Sequence, residues 1–186
     1  MRSLTFVALV ALPLLAGCAS GSAQLDCAAL SGHDSIVSLD VQFIGMEAAQ
    51  RSAALSAMKE WSTSTCNLVS TREVENEGNV TFEFFDTGSD FGWTKLGTPT
   101  RVRLNRVLSW SSKLDYLRAV SLHELGHVVE LRFDESSVDP LHYLGNDESV
   151  MGYIINPDEA FIGTVDLEAF CRRWLPGDVS CHPSAK

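Results

Sequence analysis

Apolar residues along this chain change their period several times, and each change marks an expected element. Leu4–Leu15 is almost continuously apolar behind a single positive charge at Arg2. It is too short for a comfortable membrane span and has the build of an export signal over residues 1–17. Ile36–Ile44 (IVSLDVQFI) alternates and predicts a strand. From Met46 to Trp61 the residues Met46, Ala49, Ala53, Ala57 and Trp61 recur at helical spacing, and the alanines favour helix. Val80–Phe85 (VTFEFF) predicts a second strand, apolar enough for a sheet interior. Asp86–Gly97 carries three glycines and reads as a loop. Arg101–Leu108 (RVRLNRVL) predicts a third strand or an edge ribbon, with its alternating arginines on a solvent-facing side.

The strongest helical pattern follows. Ser112, with Asp115 three residues on, predicts a capping box. Beyond it Leu114, Leu117, Val120, Glu124, His127 and Leu131 share roughly one face. Residues 134–160 contain Pro140, Gly145, Gly152 and Pro157 and read as loop. Asp166–Trp174 predicts a last helix, acidic early and with Arg172 and Arg173 late, as the helix dipole prefers. There are no internal repeats. The expected class is α+β, a small twisted mixed sheet with a central helix and a C-terminal helix.

Composition narrows the function. At 186 residues and 45% hydrophobic, the chain has the material for one packed core. Its net charge of −10 leaves little for a phosphate-binding face, so neither nucleic acid nor anionic headgroups are the expected main partner. No second apolar run of about 20 residues is present, so no mature span is expected. Removing residues 1–17 takes away Arg2 alone and leaves −11.

The apolar run ends in Leu15-Ala16-Gly17-Cys18, which resembles the lipobox of bacterial lipoproteins. That resemblance implies cleavage before Cys18, acylation of Cys18, and residues 18–25 as a tether to one domain over 26–186. Several acyl chains anchor a protein without a spanning helix. With Ala19 after the cysteine, the expected location is the bacterial cell envelope, at the outer membrane. Cys27, Cys66, Cys171 and Cys181 remain, an even number in an exported chain. Of the possible pairings, Cys27–Cys66 with Cys171–Cys181 is expected, because the second bridge closes a short C-terminal loop.

His123-Glu124-Leu125-Gly126-His127 is an HExxH segment. On a helix, positions i and i+4 share a face, so both imidazoles reach one ion, and Glu124 beside them serves as general base toward a water. In a chain of this composition a chance HExxH is expected about one time in a hundred. A catalytic zinc site commonly needs a third protein ligand. Downstream, Ser149-Val150-Met151-Gly152-Tyr153 is similar to the Met-turn of metzincins in its SxMxY form. HELGH, the RVRLN segment and the final short helix look most like matrixin-type bacterial metalloproteases, a resemblance over roughly residues 80–175.

The resemblance implies a zincin/metzincin-like fold and zinc-dependent hydrolysis of peptide bonds. It implies Met151 as a structural floor under the imidazoles. Tyr153 stands at the position that stabilises the oxyanion in astacin-like relatives, with packing beneath the site as its alternative. The sequence also departs from the HExxHxxGxxH pattern. Glu130 stands at the glycine position and Phe133 at the third histidine. The helix is therefore expected to run on, or the chain to turn differently. His142 lies nine residues before Met151, close to the matrixin ligand-to-Met spacing, and is the expected third ligand across an insertion in 128–141. Asp134 and Glu148 are its rivals.

The strand near 101–108 would be the edge that pairs with an extended substrate. His33 and His182 read as surface residues. Asp86, Gly88 and Asp90 (DTGSD) read as a solvated turn in preference to a structural calcium loop. The expected protein is a monomeric, lipid-anchored zinc endopeptidase acting on peptides or proteins. The alternative is a catalytically inactive zincin-fold lipoprotein serving as a binding or assembly module. Hydrolysis of a cell-wall peptide is a third possibility.

Overall fold

The computed structural model describes residues 23–86, 88, 90–130, 149–151 and 157–184. Its sheet has five strands, β1 (Val37–Ile44), β2 (Val69–Glu73), β3 (Val80–Phe85), β4 (Gly92–Lys95) and β5 (Thr100–Asn105), in the order β2-β1-β3-β5-β4. All neighbours are parallel except β4, which runs antiparallel to β5. Parallel neighbours need a crossover. Between β1 and β2 it is helix α1 (Ala48–Ser64).

Alternation along the strands sends Val37, Leu39 and Val41 of β1, Val80 and Phe82 of β3, and Val102 and Leu104 of β5 into the core. That face is covered by α1 and by α2 (Leu114–Val128), which pack on each other. Trp61 of α1 is fully buried, and its indole N–H donates to the Leu122 carbonyl of α2 at 2.9 Å. This contact ties the scaffold helix to the turn just before His123. A third helix, α3 (Thr164–Trp174), buries Leu167, Phe170 and Cys171 in the same core.

The disulfides are Cys27–Cys66 and Cys171–Cys181, the expected pairing. Ala23 and Leu25, at the end of the expected tether, are buried. The Ala23 N–H donates to the Ile162 carbonyl at 2.7 Å, and Leu25 bridges Pro183. The ordered body therefore includes Ala23.

Three expectations about elements change. Strand β2 carried too weak an alternation (VSTRE) to be expected. Helix α2 starts at Leu114 after a 3-10 turn over Ser111–Lys113, so Ser112 and Asp115 form no capping box. Arg101–Leu108 is not an edge ribbon: β5 ends at Asn105, runs into a 3-10 turn (Arg106–Ser109), and lies between β3 and β4. The edge strand on that side is β4, inside the segment expected to be loop, and β2 forms the other edge.

Candidate active site

His123, Glu124 and His127 lie in the last two turns of α2. The two imidazoles are edge to face with centroids 5.0 Å apart, as the i, i+4 spacing requires. His123 Nδ1 lies 2.9 Å from the Val150 carbonyl oxygen. A carbonyl only accepts, so Nδ1 donates here, and in the neutral imidazole Nε2 carries the lone pair. This arrangement orients a metal-ligating histidine. The donor chemistry thus fits a zinc ion on the histidine face. Among the described residues no group of three His, Cys, Asp or Glu comes together as a metal site.

Glu124, next to His123 on the helix, reaches β4 and is 4% exposed. The Thr94 hydroxyl donates to Glu124 Oε2 at 2.6 Å. A Cβ placed on Gly92 would lie 2.5 Å from Glu124 Oε1, so β4 approaches this closely only because position 92 has no side chain. Burial pushes the Glu124 carboxyl up to about 7; the Thr94 hydrogen bond works against that rise and the charge of Asp90 adds to it.

Ser149, Val150 and Met151 form a turn beneath the helix. Met151 is buried under Gly126, where an added Cβ would lie 2.2 Å from Met151 Sδ. Met151 is thus in contact with the motif helix between its two histidines. Asp166 of α3 holds this turn. It accepts from Ser149 Oγ at 2.6 Å, from the Val150 N–H at 2.9 Å and from the Gly163 N–H at 2.8 Å. Burial raises the Asp166 carboxyl from its ordinary value, while these hydrogen bonds pull it down. A chain of contacts therefore runs from α3 through Asp166 and Val150 to His123 Nδ1.

The helix ends close to where the glycine of the HExxHxxGxxH pattern would end it. The last α-helical residue is Val128, and Glu130 takes a left-handed φ of 61°. That backbone is what a glycine would favour. Here a glutamate occupies it, and its carboxylate pairs with Arg173 of α3. The Trp174 indole N–H donates to the Val129 carbonyl at 2.8 Å. Of the two expected outcomes, a longer helix or a different turn, the chain takes the second and the helix stops at Val128.

The structure brings together His123, Glu124, His127 and Met151. His142, Asp134 and Glu148, Tyr153, and Cys18 lie outside the described residues. Asp86 and Asp90 are exposed, and the Asn105 amide donates to the carbonyls of Gly88 at 3.2 Å and Asp90 at 2.9 Å. His33 lies against Asp178 at 3.0 Å, and His182 is exposed. Sequence reading missed Gly92, Thr94, Gly126 and Asp166. Only Asp166 left a signal, as an acid in the first turn of a helix.

No family model matches this chain, and no curated protein matches it. Among solved structures it is similar to that of myroilysin, with a TM-score of 0.50 and 12% identity over 76% of this chain and 94% of that one. At that identity the likeness is one of fold. The chain has a mixed α+β architecture, a mostly parallel five-stranded sheet with three described helices, distantly similar to that of myroilysin.

Proposed function

We propose that this chain is a zinc-dependent metalloendopeptidase of metzincin type, anchored to a bacterial cell envelope through acylated Cys18. The observation that carries the reading is the His123–His127 pair, with His123 Nδ1 held by the Val150 carbonyl of a turn whose Met151 lies against Gly126. A helix pair of histidines needs no such backing to make ordinary polar contacts. The distant likeness to myroilysin is one of fold and is compatible with it.

In this reading His123, His127 and His142 hold one zinc ion. When bound, zinc supplies Lewis acidity toward the scissile carbonyl and lowers the pKa of a water molecule. Glu124 takes the proton and passes it to the leaving amine. A carboxyl pushed up to about 7 by burial suits a group that both accepts and returns a proton near neutrality. The Thr94 hydroxyl fixes which way Glu124 Oε2 faces. Tyr153 donates to the developing oxyanion. The edge strand that receives the substrate is β4, at the edge of the described sheet beside Glu124, in place of the segment around 101–108.

The test is hydrolysis of an unstructured protein by the purified chain, with and without chelator, and by Glu124→Gln. Loss of one positioned general base is worth roughly 100- to 10,000-fold in rate. The expected outcome is chelator-sensitive cleavage that drops by that order in the variant while bound zinc is retained. Binding of a partner that persists unchanged in Glu124→Gln, with no cleavage by wild type, would instead favour the inactive binding module.

A further inference from the structure

Strand β4 presents two different faces. Gly92 and Thr94 face Glu124, whereas Trp93 and Lys95 point out on the opposite side of the sheet, away from α1 and α2, and are exposed. In register, Trp93 stands opposite Arg103 and Lys95 opposite Arg101 on β5. Arg103 is already engaged. Its Nε donates to Glu83 Oε1 at 2.9 Å, and its guanidinium lies 4.4 Å from the Phe85 ring centroid and 5.6 Å from that of Trp93. Neither Lys95 nor Arg101 has a carboxylate partner among the described residues, and both are exposed. Like charges directly opposite in a sheet are unfavourable. In a chain of net charge −10, the outer side of this edge sets two exposed cations opposite each other with no carboxylate partner among the described residues, a surface that complements an acidic group.

An extended polypeptide added to β4 places alternate side chains on the outer side, about 7 Å apart. One falls beside Trp93 and the other beside Lys95, while the residue between them faces Thr94 and Glu124. We infer that the Trp93–Lys95 edge selects extended peptide substrates carrying an acidic side chain two residues from an apolar or aromatic one. The acid neutralises Lys95 and the adjoining Arg101, and the apolar side chain packs on the exposed Trp93 ring. This rests on the peptidase reading above, and it names the substrate class of that same site. Lys95 and Trp93 are specificity-determining residues here and not catalytic ones.

The experiment uses the full chain and two labelled peptides of equal length. One has glutamate two residues from a tryptophan, the other lysine in place of the glutamate. Binding by fluorescence anisotropy and cleavage are both read for wild type, Lys95→Glu and Trp93→Ala. Exposed cross-strand charge pairs support a preference of about three- to ten-fold for the acidic peptide in wild type. Lys95→Glu should reverse that preference, with circular dichroism and zinc content unchanged. Trp93→Ala should weaken both peptides while keeping the order. Equal treatment of the two peptides by wild type, a preference untouched by Lys95→Glu, or no binding of either peptide overturns the inference. Acid-selective binding without cleavage would sustain the edge preference and remove the peptidase reading. Cleavage without acid selectivity would do the reverse.

Discussion

At the scale of single residues, the candidate site depends on small side chains as much as on reactive ones. Gly126 occupies a variable position of the motif, yet its missing Cβ makes room for Met151 Sδ. In an exposed helix interior, Gly→Ala gains about 1 kcal/mol of propensity. Here the added methyl meets a buried neighbour, and overpacking typically costs about 1–3 kcal/mol. Gly126→Ala should therefore lower the melting temperature, and Met151→Ala in the same chain should recover part of the loss. Additive effects in a thermal double-mutant cycle would contradict the contact.

Glu124, His123 and His127 were legible from sequence because HExxH fixes residue types at a helical spacing. Thr94 and Gly92 were not legible. They meet Glu124 across about 30 residues of chain, and no local pattern reports a contact of that separation. Asp166 was read as dipole compensation, whereas its carboxylate binds the turn that backs His123.

At the scale of elements, the end of α2 sets where the chain goes after His127. Glu130 takes a left-handed backbone without being glycine, which costs roughly 1–2 kcal/mol. Its ion pair with Arg173 and the Trp174–Val129 hydrogen bond hold the helix end against α3. With the ion pair removed by Arg173→Ala, adding Glu130→Gly should raise stability by about 0.5–1 kcal/mol, since glycine gives back part of the gain as chain entropy. A further loss in chemical denaturation would contradict the backbone account.

The strands β1, β3 and β5 and the helices α1, α2 and α3 were all legible in outline from periodicity. The exceptions were short or split elements. β4 is four residues between glycines, and β2 alternates weakly with polar ends, so neither reaches the length at which period decides. The absent glycine at 130 left the helix end open between a longer helix and a different turn, because the contacts with α3 that hold the stop leave no local mark.

At the scale of the whole molecule, the two disulfides close loops of different span at opposite ends of the chain. Cys27–Cys66 bridges a separation of 39 residues and Cys171–Cys181 one of 10. Loop-closure entropy makes them worth about 4 and about 3 kcal/mol respectively. Replacing the first pair by serines should lower the unfolding free energy more than replacing the second, with the ordering read from denaturant midpoints. Ala23 and Leu25 join the same buried core as α2.

The electrostatics of the molecule divide by face. The net charge of −10 is general, whereas the outer side of the β4–β5 edge is locally basic at Lys95 and Arg101. On the other side of the same edge Glu124 is buried against Thr94. These two faces of one short strand connect substrate capture to proton transfer in the proposed enzyme.

The most direct measurement is zinc content of the purified chain by elemental analysis, for wild type, His127→Ala, His142→Ala and Glu124→Gln. The expected result is one zinc per chain in wild type and in Glu124→Gln, and loss of zinc in both histidine variants. Wild type that takes up no zinc even after the metal is added back, or that keeps it without His127, would contradict a metal centre on the His123–His127 face.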